Sequence, residues 1–375
     1  MPAISVIIPT YNRLPLLRRA VECVLDQTFD DWELLVVDDA STDGTSEYLS
    51  QCTDPRVRPL RNPANRGAQE SRNLGIRHAR GEFVCFLDSD DLWVPEKLAL
   101  QMDAMNRRGR NAGVVYSYCG IMESQTGRRY DWQSPDCEGD IYGDILARPF
   151  IDFITPMIRR ECLHLIGPLD PNVPSYQEWD TFIRIARNYI FVRVPHTLAY
   201  YRLHNGATIS KDRRLHTLGY LYVVKKHEHE ILRRCGRPAL AYHYLVCAKN
   251  YCRLRDPIPM ARCLGRCLQL SPSTCLKYIF MWSMHCASSP LRRRLRDKPQ
   301  TVHEAPGEHP LPRRFHDTPE TGYNVHSMHA FPRRPEGTPE TEQEAPSAHH
   351  PPRATVQTHT APAAWWVRGR HGGPQ

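Results

Sequence analysis

Phe86-Leu87-Asp88-Ser89-Asp90-Asp91 decides the fold: it is an apolar run that stops abruptly in three carboxylates. The residues leading into it, Glu82-Phe83-Val84-Cys85-Phe86-Leu87, are nearly all apolar, as in a strand buried on both faces of a parallel sheet. Carboxylates have no place inside such a sheet. Asp88, Asp90 and Asp91 are therefore expected just past the strand's carboxyl end, where open α/β sheets hold their ligands. Three acids within four residues repel one another unless a cation sits among them, and hard oxygen ligands suit Mg2+ or Mn2+. Taken alone, the stretch fits equally well an acidic turn capping a helix that starts near Pro95.

Working outward, residues 3–9 form a β-rich run ended by Pro9, and Leu14 to Leu25 follow with helical spacing. Residues 32–37 read as a second buried strand, closed by Asp38-Asp39. Ser41-Thr42-Asp43-Gly44 opens a helix through Leu49, and Val57 to Leu60 reads as a third strand. Asn65-Arg66-Gly67 breaks the chain before a helix at Ala68–His78. This alternation predicts βαβ units in a doubly wound, mostly parallel α/β sheet. No Gly-x-Gly-x-x-Gly follows a strand and no P-loop is present, so two common nucleotide cradles are excluded. The strand ends instead deliver Pro9-Thr10-Tyr11-Asn12, Asp38-Asp39 and the acidic cluster to one rim. An aromatic ring for a base, a carboxylate for a base or ribose edge, and a cation site would together suit a nucleoside diphosphate.

Four segments in order then carry a resemblance. Ile7-Ile8-Pro9-Thr10-Tyr11-Asn12-Arg13, Val36-Val37-Asp38-Asp39-Ala40-Ser41-Thr42-Asp43-Gly44, Ser71-Arg72-Asn73-Leu74-Gly75 and Phe86-Leu87-Asp88-Ser89-Asp90-Asp91 resemble the family 2 glycosyltransferases of the GT-A fold. The resemblance implies an inverting transferase that uses a nucleotide-activated sugar and a divalent cation. It implies that Pro9, Thr10, Tyr11 and Asp39 hold the nucleoside, with Asp39 at the base, and that Arg72 helps hold the nucleotide. Asp90 would lie near the ribose and on the metal, Asp91 on the metal, and Asp88 would support them.

Past Pro95, Glu96 to Met105 reads as an amphipathic helix, and Gly113–Tyr116 and Cys119–Met122 as strands. Glu123 to Gly143 is polar and turn-rich, the region where the family's acceptor contacts vary. In Gln177-Glu178-Trp179-Asp180-Thr181-Phe182-Ile183-Arg184, relatives usually show Glu-Asp, an aromatic residue and Asp. Here Glu178 stands where that first Asp would be and Gln177 replaces the Glu. Drawing the proton from an acceptor hydroxyl needs one base. Glu178 is the first choice and Asp180 the reserve, although Asp180 could simply pair with Arg184 at i, i+4 spacing. Tyr200-Tyr201-Arg202-Leu203-His204-Asn205-Gly206 matches the family's closing Tyr-Arg-x-His signature. It would bring Arg202 to the diphosphate and His204 to the metal from a loop over the donor, and a capping loop is the plainer reading.

Residues 1–212 are thus expected to form the catalytic domain, 213–289 a basic helical extension, and 290–375 a disordered tail. Between Tyr201 and Gln300 the balance is +15, against +8 for the whole chain, which leaves −7 elsewhere. Ala239–Leu254 and Pro259–Leu270 read as a helix pair carrying Arg262 and Arg266, with Arg292-Arg293-Arg294 beyond. Contact with an anionic membrane is preferred, an ordinary solvated face comes next, and nucleic acid is not expected without a basic-aromatic motif. His227-Glu228-His229 reads as surface residues, because i and i+2 point apart on a helix. The tail holds 13 of the 32 prolines and 9 of the 18 histidines in residues 291–375, with an imperfect Pro-Arg-Arg…Thr-Pro-Glu-Thr repeat.

The 13 cysteines lack any Cys-x-x-Cys pair and suit reduced thiols in a cytoplasmic protein. No signal peptide or membrane-spanning run is read, which suggests the cytoplasm, at the inner face of the membrane. The expected function is transfer from a nucleoside-diphosphate sugar to a sugar or lipid-linked hydroxyl acceptor in cell-surface polysaccharide or glycolipid synthesis. A sugar nucleotidyltransferase is the first alternative, although it would show a basic, glycine-rich loop after the first strand. A catalytically silent sugar-nucleotide-binding protein is the second, suggested by Gln177.

Overall fold

Short apolar runs separated by turn residues become strands, and apolar side chains recurring every three or four positions become helices. A computed structural model of the chain describes residues 1–132, 135–204 and 212–277. The first part alternates β1 (Ile4–Thr10), α1 (Leu14–Leu25), β2 (Trp32–Asp38), α2 (Thr45–Ser50), β3 (Val57–Arg61), α3 (Ala68–His78) and β4 (Phe83–Phe86). After the acidic turn come β5 (Leu92–Trp93), α4 (Lys97–Arg108), β6 (Ala112–Glu123), β7 (Arg129–Trp132) and α5 (Tyr142–Ala147). Then follow β8 (Met157–Arg159), α6 (Arg160–Ile166), α7 (Gln177–Ala186) and β9 (Ile190–Leu203). Three helices close the described chain: α8 (Arg213–Lys226), α9 (Glu228–Arg253) and α10 (Pro257–Leu270).

The strands build a nine-stranded sheet in the order β3-β2-β1-β4-β8-β6-β9-β5, with β7 paired to β6. β3, β2, β1, β4, β6 and β9 share one direction, while β5, β7 and β8 oppose it. This is the mostly parallel α/β sheet expected from the sequence. The winding runs from β1 out to β3 and then returns to place β4 on the other side of β1. That reversal opens a crevice at the carboxyl ends of β1 and β4, the place where such sheets take ligands.

Both faces of the sheet are covered. Ile4, Val6, Ile8, Leu34, Val36 and Cys85 pack with α1 and α4 residues such as Leu17, Val21, Leu98 and Met102. Ile7, Leu35, Val37, Val84 and Phe86 face the other layer, which includes Ile145, Trp179, Phe182, Val223, Leu240 and Cys267. The helices after residue 212 therefore share one apolar cluster with the sheet. Close approach is needed beneath α3, where a Cβ on Gly75 would stand 2.5 Å from Ile7 Cγ2.

Two local expectations are corrected. The two strands read between Gly113 and Met122 are one, β6, which stays paired to β9 through register shifts around Tyr118. The polar Ser117-Tyr118 pair looked like a break because a bulge absorbs it. α9 is broken at Gly236, where φ 82° and ψ 174° leave the helical region, so the helix expected from Ala239 follows a separate helical stretch that starts at Glu228. His227 is no surface residue: it is 2% exposed and bonded to Asp180. The 290–375 tail, the Arg292-Arg293-Arg294 run and Asn205-Gly206 lie outside the described residues.

Candidate active site

The site grows from strand ends. Thr10 stands opposite Asp38 in register, and the Asp39 amide donates to the Thr10 carbonyl at 2.9 Å. Asp39 is buried, and its carboxylate accepts from Asn62 Nδ2 at 2.7 Å, the Arg66 amide at 2.9 Å and the Gly67 amide at 2.8 Å. Gly67 has φ 85°, a backbone state that suits glycine, so its amide can aim at the carboxylate. Asn12, at φ 50°, accepts from the Thr42 amide through Oδ1 and fixes the turn that presents Tyr11. Tyr11 is 46% exposed, an aromatic face open to a ligand.

The acidic turn closes the same rim. The Leu87 amide donates to the Ile7 carbonyl at 3.1 Å, which carries Asp88 to Asp91 beside the end of β1. Arg13 Nη1 lies 2.5 Å from Asp90 Oδ2, and His204 Nε2 donates to the same oxygen at 3.0 Å. Asp91 is 2% exposed and accepts from the Arg202 amide at 2.9 Å. Burial, and then the neighbouring charges of Asp90 and Asp88, hold the Asp91 carboxyl well above the usual carboxylate range. Arg202 is 1% exposed, and its Nε and Nη1 have no hydrogen-bond partner. A buried guanidinium with two idle donors beside an acidic turn is equipped for an anion that itself carries a cation.

The second wall comes from α3 and α7. Arg72, buried at 4% exposure, donates to Gln69 Oε1 at 2.9 Å, to Gln177 Oε1 at 3.3 Å and to Asp88. Its guanidinium lies 4.7 Å over the Phe153 ring, which in turn packs at 5.3 Å on Phe86 and 5.7 Å on Phe182. Asn73 exchanges two hydrogen bonds with the Leu169 backbone, 2.9 and 2.8 Å, fixing α3 against the segment before α7. Tyr176 opens α7 at φ 61°, and its hydroxyl meets His216 Nε2 at 2.7 Å. Glu178 in the first turn is half-buried on the cleft wall. Burial raises its carboxyl to about 7, with Asp152 adding to the rise and Arg72 opposing it.

Asp180 behaves differently. It is 1% exposed and accepts from His227 Nε2 at 2.8 Å and from Lys226 Nζ, with Arg184 at 3.6 Å. Burial works against its charge, yet the His227 and Lys226 hydrogen bonds hold the carboxyl below its ordinary value. It serves as an anchor between α7 and the α8–α9 corner. The structure brings Thr10, Tyr11, Asp39, Arg72, Asp88, Asp90, Asp91, Glu178, Arg202 and His204 to one crevice, and sets Asp180 behind its wall.

Sequence reasoning assigned no role to Arg13, although it lies inside a quoted motif, or to Asp152. Asp152 opens to solvent, yet the cleft walls crowd it enough that desolvation, then Asp88, raises its carboxyl. Nothing in the local sequence marks it; its neighbours Cys119 and Asp88 are brought to it only by the fold. Among the described residues no three His, Cys, Asp or Glu side chains converge as a ready-made metal cage. A site of one or two carboxylates completed by substrate phosphates is the arrangement Mg2+ ordinarily adopts, and the raised Asp91 carboxyl fits a position short of positive charge.

Comparison with known proteins accords with this geometry. The family model for "Glycosyl transferase family 2" matches residues 5–165. The chain is 34% identical over 213 residues to the teichuronic acid biosynthesis glycosyltransferase TuaG of Bacillus subtilis (strain 168), spanning 56% of this chain and 82% of that one. It is 40% identical over 123 residues to the Escherichia coli glucosyltransferase WfgD, spanning 33% of this chain and 48% of that one. The structure of S. aureus TarS 1–349 in complex with UDP-GlcNAc superposes with a TM-score of 0.55 at 20% identity, covering 73% of this chain and 83% of that one. The mannosyltransferase PcManGT from Pyrobaculum calidifontis, in complex with GDP-Man and Mn2+, gives 0.53 at 20% identity, covering 78% and 82%. Likeness at that identity concerns the fold, which is of the GT-A type. Four motifs, one crevice and these relatives agree: the chain belongs to glycosyl transferase family 2.

Proposed function

We propose that the chain transfers a sugar from a nucleoside-diphosphate sugar to a hydroxyl acceptor, with inversion at the anomeric carbon. The observation that supports this most is Glu178, a half-buried carboxylate raised to about 7 on the wall facing Asp88 and Arg72. A general base is most effective when its pKa lies near the working pH. Tyr11 offers a ring to the base and Asp39 a carboxylate whose position three hydrogen bonds fix. Arg202 would spend its two idle donors on the diphosphate. Asp91, with Asp90 and His204 beside it, would hold Mg2+ or Mn2+, which when bound supplies charge stabilisation to the departing diphosphate.

The bond changes then follow. The acceptor oxygen forms a bond to the anomeric carbon as the bond from that carbon to the diphosphate oxygen breaks. The acceptor's proton goes to Glu178, and Asp88, held by Arg72, keeps the guanidinium oriented towards the cleft. TuaG and WfgD are named for teichuronic acid biosynthesis and for glucosyl transfer to a diphosphoundecaprenol-linked sugar. We therefore read the acceptor as a sugar on a lipid carrier in cell-surface polysaccharide synthesis, reached at an anionic membrane. No helix among the described residues is long and apolar enough to cross one.

Screening nucleotide sugars for Mn2+- or Mg2+-dependent release of nucleoside diphosphate, with and without a membrane extract as acceptor, tests the reading. Pyrophosphate release from a nucleoside triphosphate would favour a nucleotidyltransferase instead. Donor binding without turnover across donors would favour a silent binding protein.

A further inference from the structure

We propose that the outward face of α10, continued by the residues just after it, is the surface that lies on an anionic bilayer. This rests on the membrane contact proposed above and specifies where the contact is made. At 100° per residue, Ile258, Ala261, Arg262, Gly265 and Leu268 fall on one stripe of α10. Cys263, Cys267 and Leu270 fall on the opposite side and are buried against α9 and the sheet layer. Ile258 is 65% exposed and Leu268 45% exposed. Leu276, in the helical residues 272–277 that follow, is 64% exposed.

Three large aliphatic side chains in water along one short stretch call for an occupant, and charge says which. Residues 256–297 hold seven Lys or Arg against two acids, Asp256 and Asp297, one at each edge. On the same stripe Arg262 is exposed, and Lys277 is exposed beside Leu276. Arg266 is different: it turns back to pair with Glu228 at 2.7 Å, so it belongs to the fold. A second copy of this chain, docking by the same stripe, would set Arg262 and Lys277 against their own copies without a carboxylate between them. Aliphatic residues flanked by basic ones, with Asp256 confined to the start of the helix and Glu228 engaged by Arg266, match the boundary between acyl chains and anionic headgroups. Arg237 fastens the far end of the helix by donating to the Gln269 and Leu270 carbonyls at 2.7 and 2.9 Å, which keeps the stripe outward.

The test is sedimentation of the full chain with phosphatidylcholine vesicles, with and without phosphatidylglycerol. The wild type should partition onto the mixed vesicles and much less onto the neutral ones. Ile258→Gln combined with Leu268→Gln should weaken that partitioning at least ~tenfold. Arg262→Gln should weaken it several-fold and reduce its salt dependence. None of these exposed changes should alter the thermal midpoint or Mn2+-dependent donor hydrolysis, so membrane contact and chemistry are read separately. Binding to neither vesicle overturns the membrane contact itself, and equal binding to both overturns its anionic character. Undiminished binding by the folded double variant moves the contact off α10 to the Arg292–Arg296 region. Concentration-dependent dimerisation abolished by the same double variant would give the stripe to a second copy and overturn the proposal.

Discussion

Arg13 Nη1 sits 2.5 Å from Asp90 Oδ2, bridging the first strand end and the acidic turn across the mouth of the proposed donor cleft. The guanidinium supplies part of the positive charge that three neighbouring carboxylates require. A divalent cation would compete with it for the same turn. Arg13→Gln should therefore tighten Mn2+ binding in the absence of donor by roughly fivefold, about 1 kcal/mol for one partly solvated charge. Calorimetric titration of Mn2+ checks this, and weaker binding would mean that Arg13 helps to assemble the cation site.

Glu178 gives a pH prediction. Its carboxyl, raised by burial to about 7, must be ionised to take a proton, so kcat/KM should fall as pH drops through about 7. Glu178→Gln should lower kcat by about 10²- to 10⁴-fold while leaving donor affinity unchanged. Stability carries the opposite sign. Between the ordinary glutamate value of 4.5 and about 7 the folded chain binds more protons than the unfolded one, so stability falls as pH rises through that window. Glu178→Gln should remove this fall, and normal transfer by the variant would hand the base to another carboxylate.

Asp180 should show the reverse pattern of effects. Asp180→Asn leaves His227 and Lys226 facing a neutral side chain behind α7 and should cost about 3 kcal/mol in urea unfolding. Because the folded carboxyl is held low, its contribution is present above the unfolded aspartate value and disappears as pH falls through the folded one. Turnover per folded molecule should survive. A collapse of kcat with an unchanged unfolding midpoint would make Asp180 the base.

Lys97 is a buried amine with no part in the chemistry. It is fully enclosed, donates to Gln101 Oε1 at 2.6 Å and lies 4.2 Å over the Trp93 ring. Burial lowers its pKa to about 8 from 10.5. The unfolded lysine keeps its proton over that interval while the folded one releases it, so stability should rise with pH between about 8 and 10.5. Urea melts across that range should show the rise in the wild type and not in Lys97→Met.

The parallel half of the sheet was legible because β1, β2 and β4 are short apolar runs ended by Pro9-Thr10, Asp38-Asp39 and Asp88, and because α1 and α3 have full helical spacing. The strand-end residues were legible for the same reason, since a carboxylate that closes a buried strand has only the rim to occupy. β5 and α5, of two and six residues, are too short to show a period and exist through tertiary pairing. Asp180 and His227 could not be paired from sequence, because 47 residues, with the strand β9 and the helix α8 among them, separate them. Asp152 was hidden similarly: the groups its carboxyl meets, Cys119 and Asp88, come from distant parts of the chain.

The most direct measurement is calorimetric titration of nucleoside-diphosphate sugars into the wild type and Asp91→Ala, each with and without Mn2+. Expected is donor uptake by the wild type that strengthens at least ~tenfold with the cation, and loss of that strengthening in Asp91→Ala. Uptake of no donor under any condition, or uptake indifferent both to Mn2+ and to Asp91, would contradict a cation-assisted donor site at this rim.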